Sequence, residues 1–127
     1  METLHLNLTK KWFDMILSGE KKVEYRALTY FWANRLFDIP KARKIEIDNF
    51  FKLNNFSAAL YCVVEFKLKP FKTITFSNGM KSIEHLPRFE IEFKKLEIAE
   101  GKKEWGAKEG EMYFSLHLWS IIQKQNC

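Results

Sequence analysis

The segment LHLNLTKKWFDMILSGEKKVEYR, Leu4–Arg26, reads as three elements and one turn. Leu4, Leu6 and Leu8 alternate with His5 and Asn7, the two-residue period of a strand with one buried face. Thr9 then stands where a helix N-cap belongs. In KKWFDMIL the residues Trp12, Phe13, Ile16 and Leu17 share one helical face, and Gly19 supplies a left-handed stop. KKVEYRA restarts as a strand. Val23 and Tyr25 fall on one face, where Tyr25 is expected to pack on the core, and Lys22, Glu24 and Arg26 fall on the other.

Outward from this unit, TYFWANRLF (Thr29–Phe37) predicts a second amphipathic helix with Tyr30, Phe31, Trp32 and Phe37 apolar. Residues 38–70 mix signals. Phe50, Leu53, Phe56, Leu60 and Val63 recur at helical spacing, which favours a helix from about Asp48, while YCVVEFKL (Tyr61–Leu68) also suits a strand. FKTITFSNGM (Phe71–Met80) is a β-branched strand ending in the hairpin signal Asn78-Gly79. RFEIEFKKLEIAEG alternates through Phe89, Ile91 and Phe93, then shifts phase past Lys94-Lys95 to Leu96 and Ile98, predicting a bulge. KKEWGAKEGE (Lys102–Glu111) reads as a polar loop or short helix, and MYFSLHLWSII (Met112–Ile122) as a closing strand. Short strands closing on themselves with helices at the ends predict a small α+β barrel of mostly antiparallel strands, one domain over 1–127.

Composition narrows the function classes. The 127 residues include 12 Phe and 4 Trp, enough apolar surface for a core without metals or disulfides. Net charge is +5, which favours anionic partners, nucleic acid among them. Cys62 lies in an apolar run and Cys127 is the last residue, so no structural disulfide is expected. His5, His85 and His117 are scattered and form no metal-ligand spacing with the two cysteines; no metal and no cofactor are expected. The apolar runs are too short to span a membrane, and METLHLNLTKKW lacks the apolar core of a secretory signal, so a cytoplasmic protein is expected. Ser115 and Ser120 lack the strand-turn-helix elbow of a serine nucleophile.

The charges gather at the turn. Gly19 permits a tight reversal, Lys21 can reach over a barrel mouth, and Glu24 and Arg26, two apart on a strand, project together. Arg26 offers a planar fork for phosphate or carboxylate, and Glu24 accepts from an amine or orients Lys21. The same pattern suits a solvated strand face with a surface ion pair, a feature worth roughly 0–1 kcal/mol. Trp105 is open to base stacking or to core packing. The basic clusters KARK (Lys41–Lys44) and KLKPFK (Lys67–Lys72) suit either phosphate contacts or plain solvation.

Read as Gly-x-Lys-x-x-Glu-x-Arg, residues Gly19, Lys21, Glu24 and Arg26 resemble the signature of the ASCH domain family, a PUA-like barrel. The likeness extends to the opening strand and helix, to TYFWANRLF, to TITFSNGM, and to the C-terminal block with its Glu-Trp-Gly. Residues 38–69 stay unmatched and read as a helical insert. The resemblance implies a cleft near the motif that binds RNA or modified nucleosides; the motif residues Gly19, Lys21, Glu24 and Arg26, with Trp105 as a stacking surface capping the cleft, are the candidate ligand-binding residues. Some members resemble amidohydrolases that deacetylate 4-acetylcytidine, using the motif lysine, a threonine and a later glutamate, and others cut single-stranded RNA. Here Lys21 matches the lysine, Glu24 replaces the threonine, and Glu104 is a positional candidate for the later glutamate. Binding module and amidohydrolase therefore stand as two readings. A third is an interaction domain that meets a protein partner through Phe50, Phe51 and Phe56 of the insert.

Overall fold

The structure, a computed structural model, describes residues 3–79 and 86–127; His85 lies outside them. The leucine alternation forms β1 (Thr3–Leu8), followed by α1 (Lys10–Leu17), β2 (Val23–Ala27) and α2 (Tyr30–Leu36). A 3-10 turn (Lys41–Arg43) leads into α3 (Lys44–Leu53) and α4 (Asn55–Glu65). The chain ends in β3 (Thr73–Asn78), β4 (Arg88–Glu100), a second 3-10 turn (Lys103–Trp105) and β5 (Met112–Gln125). The strands lie in one sheet of order β1-β3-β4-β5-β2. β1 pairs with β3 in parallel; the other pairs are antiparallel.

Both helix and strand content and the antiparallel bias agree with the sequence reading, but the expected closed barrel does not form. β1 and β2 are the two ends of an open sheet with no ladder between them. The long strands β4 and β5 pair through register shifts spread from Glu90 to Lys95, so the irregularity starts before the Lys94-Lys95 phase break. Asn78-Gly79 ends β3 without a two-residue turn: the Asn78 N–H donates to Pro87 O, and Gly79 adopts φ +123°.

One face of the sheet is apolar. Leu4, Leu6, Ile74, Phe76, Phe89, Ile91, Phe114 and Leu116 are buried there beneath the helices. Phe89 anchors α1 edge-to-face through Phe13 at 4.9 Å and meets Phe76 at 5.6 Å. α2 contributes Ala33 and Leu36, α3 Ile47 and Phe51, and α4 Ala58, Ala59 and Cys62.

The 38–69 segment is helical, as two helices rather than one starting near Asp48. Asn54 makes the break: its backbone is extended, and its side chain accepts the Ser57 N–H at 3.0 Å, capping α4. Tyr61–Glu65 belongs to α4, and only beyond it does Leu68 form an isolated bridge with Phe37. Phe51 is core and Phe50 half-buried, so neither is free for a partner; Phe56, Leu60 and Val63 on α4 stay partly exposed. KARK is a folded feature, since Arg43 donates to Glu46 and Tyr61 and lies 5.4 Å from the Tyr61 and Phe66 rings.

Cys62 and Cys127 are both free. Burial pushes the Cys62 thiol up to about 11. At pH 8 only about one molecule in a thousand then carries the Cys62 thiolate, the reactive form. A thiol reagent is expected to label Cys127 promptly and Cys62 only on unfolding, as read by intact mass. Two labels added at equal rates to native protein contradict this.

Candidate functional site

Gly19, at φ +85°, turns the chain out of α1, and the Lys21 N–H closes the turn on Met15 O at 2.9 Å. A Cβ at Gly19 would meet nothing within 4 Å, so the backbone conformation, not crowding, calls for glycine. The turn sends Lys21 inward, where only 3% of it stays exposed.

Glu24 and Arg26 share a face of β2, as their spacing predicts, but it is the core-side face. They pair across the ladder with Leu116 and Phe114, both fully buried. Lys22 lies outside β2 and is exposed. Tyr25 and Val23 sit on the opposite face, so the expected packing of Tyr25 on the core is inverted. The alternation is correct; its phase relative to the core is not, because each charge on the inward face finds a partner.

Those partners form one cluster. The Lys21 Nζ donates to Glu24 Oε1 at 2.7 Å, and Arg26 Nη2 donates to Glu24 Oε2 at 2.6 Å. Side-chain exposure is 3% for Lys21, 6% for Glu24 and 14% for Arg26. The solvated-face alternative therefore does not describe these residues. Two cations share one anion, leaving a formal charge of +1. Desolvating such a group offsets much of its Coulombic gain, so its contribution to stability is small or negative.

Aromatic rings frame the cluster. Lys21 Nζ lies 4.8 Å from the Trp12 ring and 5.7 Å from that of Tyr25. The Arg26 guanidinium lies 4.7 Å from the Trp32 ring, and that of Arg35 lies 5.4 Å from the same ring. Both arginines also reach β1: Arg26 Nη2 donates to Asn7 O at 3.1 Å, and Arg35 Nη2 to His5 O at 3.0 Å. These bonds satisfy carbonyls along an edge strand and tie the two ends of the open sheet through a side chain. The Arg26 Nε is buried and has no acceptor among the described residues. An orphaned buried donor costs about 1–3 kcal/mol, which an incoming oxygen would recover.

The remaining site candidates separate. Gly19 and Lys21 line a depression of about 270 Å³ with Leu17, Ile91 and Trp119, but Glu24 and Arg26 do not. The three motif side chains thus converge on one another more than on a shared hollow. Glu104 is exposed on the second 3-10 turn and makes no hydrogen bond or ion pair with the cluster. Trp105 is half-buried on the far side of the sheet, with Tyr25. Gly106 links the two sides. It adopts φ +99°, and a Cβ there would come within 3.0 Å of the Trp12 ring that faces Lys21.

From the sequence, Trp12 reads as a core residue and Trp32 as merely apolar, and nothing singles out Arg35. The spacing of the motif carries no signal for them, since α1 and α2 deliver them by tertiary packing. Among the described residues, no group of three His, Cys, Asp or Glu side chains is placed to hold a metal ion, and no helix is long and apolar enough to cross a membrane. No family model, curated protein or solved structure matches the chain.

Proposed function

We propose that the chain is a single ASCH-like domain that binds RNA or a modified nucleoside at its Gly19, Lys21, Glu24, Arg26 cluster. One observation carries this reading: the carboxylate of Glu24 is gripped by two buried cations, and one of them keeps an unused buried N–H. A cluster that adds little to stability yet stays cationic and partly unsatisfied suits an anionic or carbonyl oxygen. Trp12 and Trp32 give the flanks of such a site flat aromatic surface. On the same reading the open sheet is the counterpart of a PUA-like barrel left unclosed between β1 and β2, where the Arg26 to Asn7 bond bridges the gap, and 38–69 is a helical addition to that plan. The amidohydrolase reading gains nothing from the geometry, because Glu104 stands apart and Glu24 is committed to both cations.

The test is a salt series. Fluorescence anisotropy with a labelled single-stranded RNA is expected to show affinity falling with salt. Arg26→Ala is expected to weaken binding about tenfold and to lower the slope by about 0.7, the loss of one single-strand phosphate contact. Arg26→Lys keeps the charge, so it retains the slope while losing the fork. Affinity and slope unchanged in a folded Arg26→Ala protein overturn the proposal.

A further inference from the structure

The opposite face of β2 carries a second, differently charged hollow. Tyr25, Glu97, Lys102, Trp105, Ser115 and His117 line a depression of about 300 Å³, at the small end of the range for ligand sites. Strand register builds it. Tyr25 pairs with Ser115 and Ser115 with Glu97, so these three form one row across the sheet. His117, in the next row, meets Glu97 Oε1 through Nε2 at 3.0 Å, and Lys95 lies 3.7 Å from the other carboxylate oxygen.

The aromatic members are held in place. The Tyr25 hydroxyl accepts the Lys102 N–H at 3.0 Å, and its ring leans on Tyr113 at 5.6 Å. A Cβ on Gly101 would collide with that of Ala107 and come within 3.1 Å of the Tyr25 ring, so the backbone lies close against the tyrosine. Trp105 follows on the same loop with the Lys102 ammonium 4.3 Å from its ring. On the floor, Ser115 is almost fully buried, yet among the described residues its hydroxyl makes only a 3.4 Å bond to Tyr113 O. That leaves a buried acceptor with little to do.

The chemistry of this hollow differs from that of the motif cluster. Glu97 and Glu100 line it against one lysine of the lining, Lys102, so these two carboxylates leave it net anionic and disfavour a phosphate. Carboxylates accept hydrogen bonds only, so they suit an amine donor, while Trp105 offers π-surface to a flat ring and Tyr25, packed by Tyr113 and Gly101, forms a fixed wall beside it. We propose that this hollow binds a planar, uncharged nitrogen heteroaromatic ring carrying an exocyclic amine, a nucleobase of the adenine or cytosine type. The inference rests on the nucleic-acid reading above and completes it. Phosphate goes to Arg26 on one side of the edge strand β2, and the base goes to Trp105 on the other. The Lys21 ammonium, within 5.7 Å of the Tyr25 ring, connects them.

Free nucleosides test the hollow without any phosphate. In an NMR titration, adenosine and cytidine are expected to shift the Trp105 indole and His117 resonances, with uridine binding about tenfold more weakly because a carbonyl replaces the amine. Trp105→Ala is expected to weaken cytidine binding about tenfold or more, the loss of one stack, and Trp105→Phe to retain most of it. Glu97→Gln, able to donate as well as accept, is expected to erase the preference over uridine. If no nucleoside shifts these resonances, or if Trp105→Ala and Glu97→Gln bind as wild type, the proposal fails. It fails alone if RNA still binds in an Arg26-dependent manner and Trp105→Ala leaves that affinity unchanged. If neither nucleosides nor RNA bind, the broader reading falls with it.

Discussion

Glu24→Gln is expected to lower the unfolding free energy by about 3–5 kcal/mol, a large part of the stability of a domain this size. The reason lies in what remains. Removing the charge of Glu24 leaves the Lys21 ammonium and the Arg26 guanidinium buried together without the anion that lies less than 3 Å from each, and one of them faces the new amide N–H. Breaking a buried pair costs far more than the pair contributes, because the desolvation has already been incurred. Replacing the whole cluster should behave differently. Lys21→Met, Glu24→Leu and Arg26→Met together remove all three desolvation costs and keep the volume, and the Asn7 carbonyl at the sheet edge returns to water. The triple variant is expected to regain most of the lost stability while failing to bind RNA. Urea midpoints at constant m-value decide between the two. A triple variant as unstable as Glu24→Gln would make the cluster a requirement of the fold, and the inference that it is kept for a ligand would fail.

That contrast bears on how far the residues alone could lead. Local periodicity was enough for β1, α1 and β2, since Leu4, Leu6 and Leu8 against His5 and Asn7 admit one period. The pairing of Glu24 with Arg26 was also within reach, because residues two apart on a strand must project together, whereas Lys21 precedes the strand and is turned inward by the Gly19 turn. What periodicity lacks is phase. A central strand declares its buried face by hydrophobicity, but β2 lies at the end of the sheet and places Glu24 inward against Leu116. Nothing in VEYRA distinguishes that from Glu24 outward, because the ion partners arrive from Lys21 and the aromatic frame from α1 and α2. Closure is non-local in the same way: whether the sheet closes depends on register shifts accumulated between β4 and β5. The split at Asn54 was closer to hand. An asparagine between two apolar helical runs is a cap signal, and the continuity of Phe50, Leu53 and Phe56 obscured it.

Phe89→Ala is expected to cost about 3–5 kcal/mol, through lost transfer energy and the cavity left behind. Phe89 is 1% exposed and touches two other rings, Phe13 on α1 and Phe76 on β3. Neither neighbour can follow it inward, since Phe76 is fixed in the sheet ladder and Phe13 by its helix. Phe89→Leu keeps most of the volume and should cost under about 1.5 kcal/mol. Leu53, 86% exposed at the end of α3, supplies the control, and Leu53→Ala should stay within about 0.5 kcal/mol of wild type. The core change reaches the site as well. Phe13 is how α1 grips the sheet, and Trp12 beside it faces the Lys21 ammonium at 4.8 Å. A loosened α1 therefore releases one wall of the cluster before the sheet melts. Amide exchange in Phe89→Ala should rise first across Lys10–Leu17 and at Lys21, with β4 and β5 still protected. Uniform loss of protection throughout the chain would instead mean that α1 and the sheet open as one unit, and that the site has no local mobility of its own.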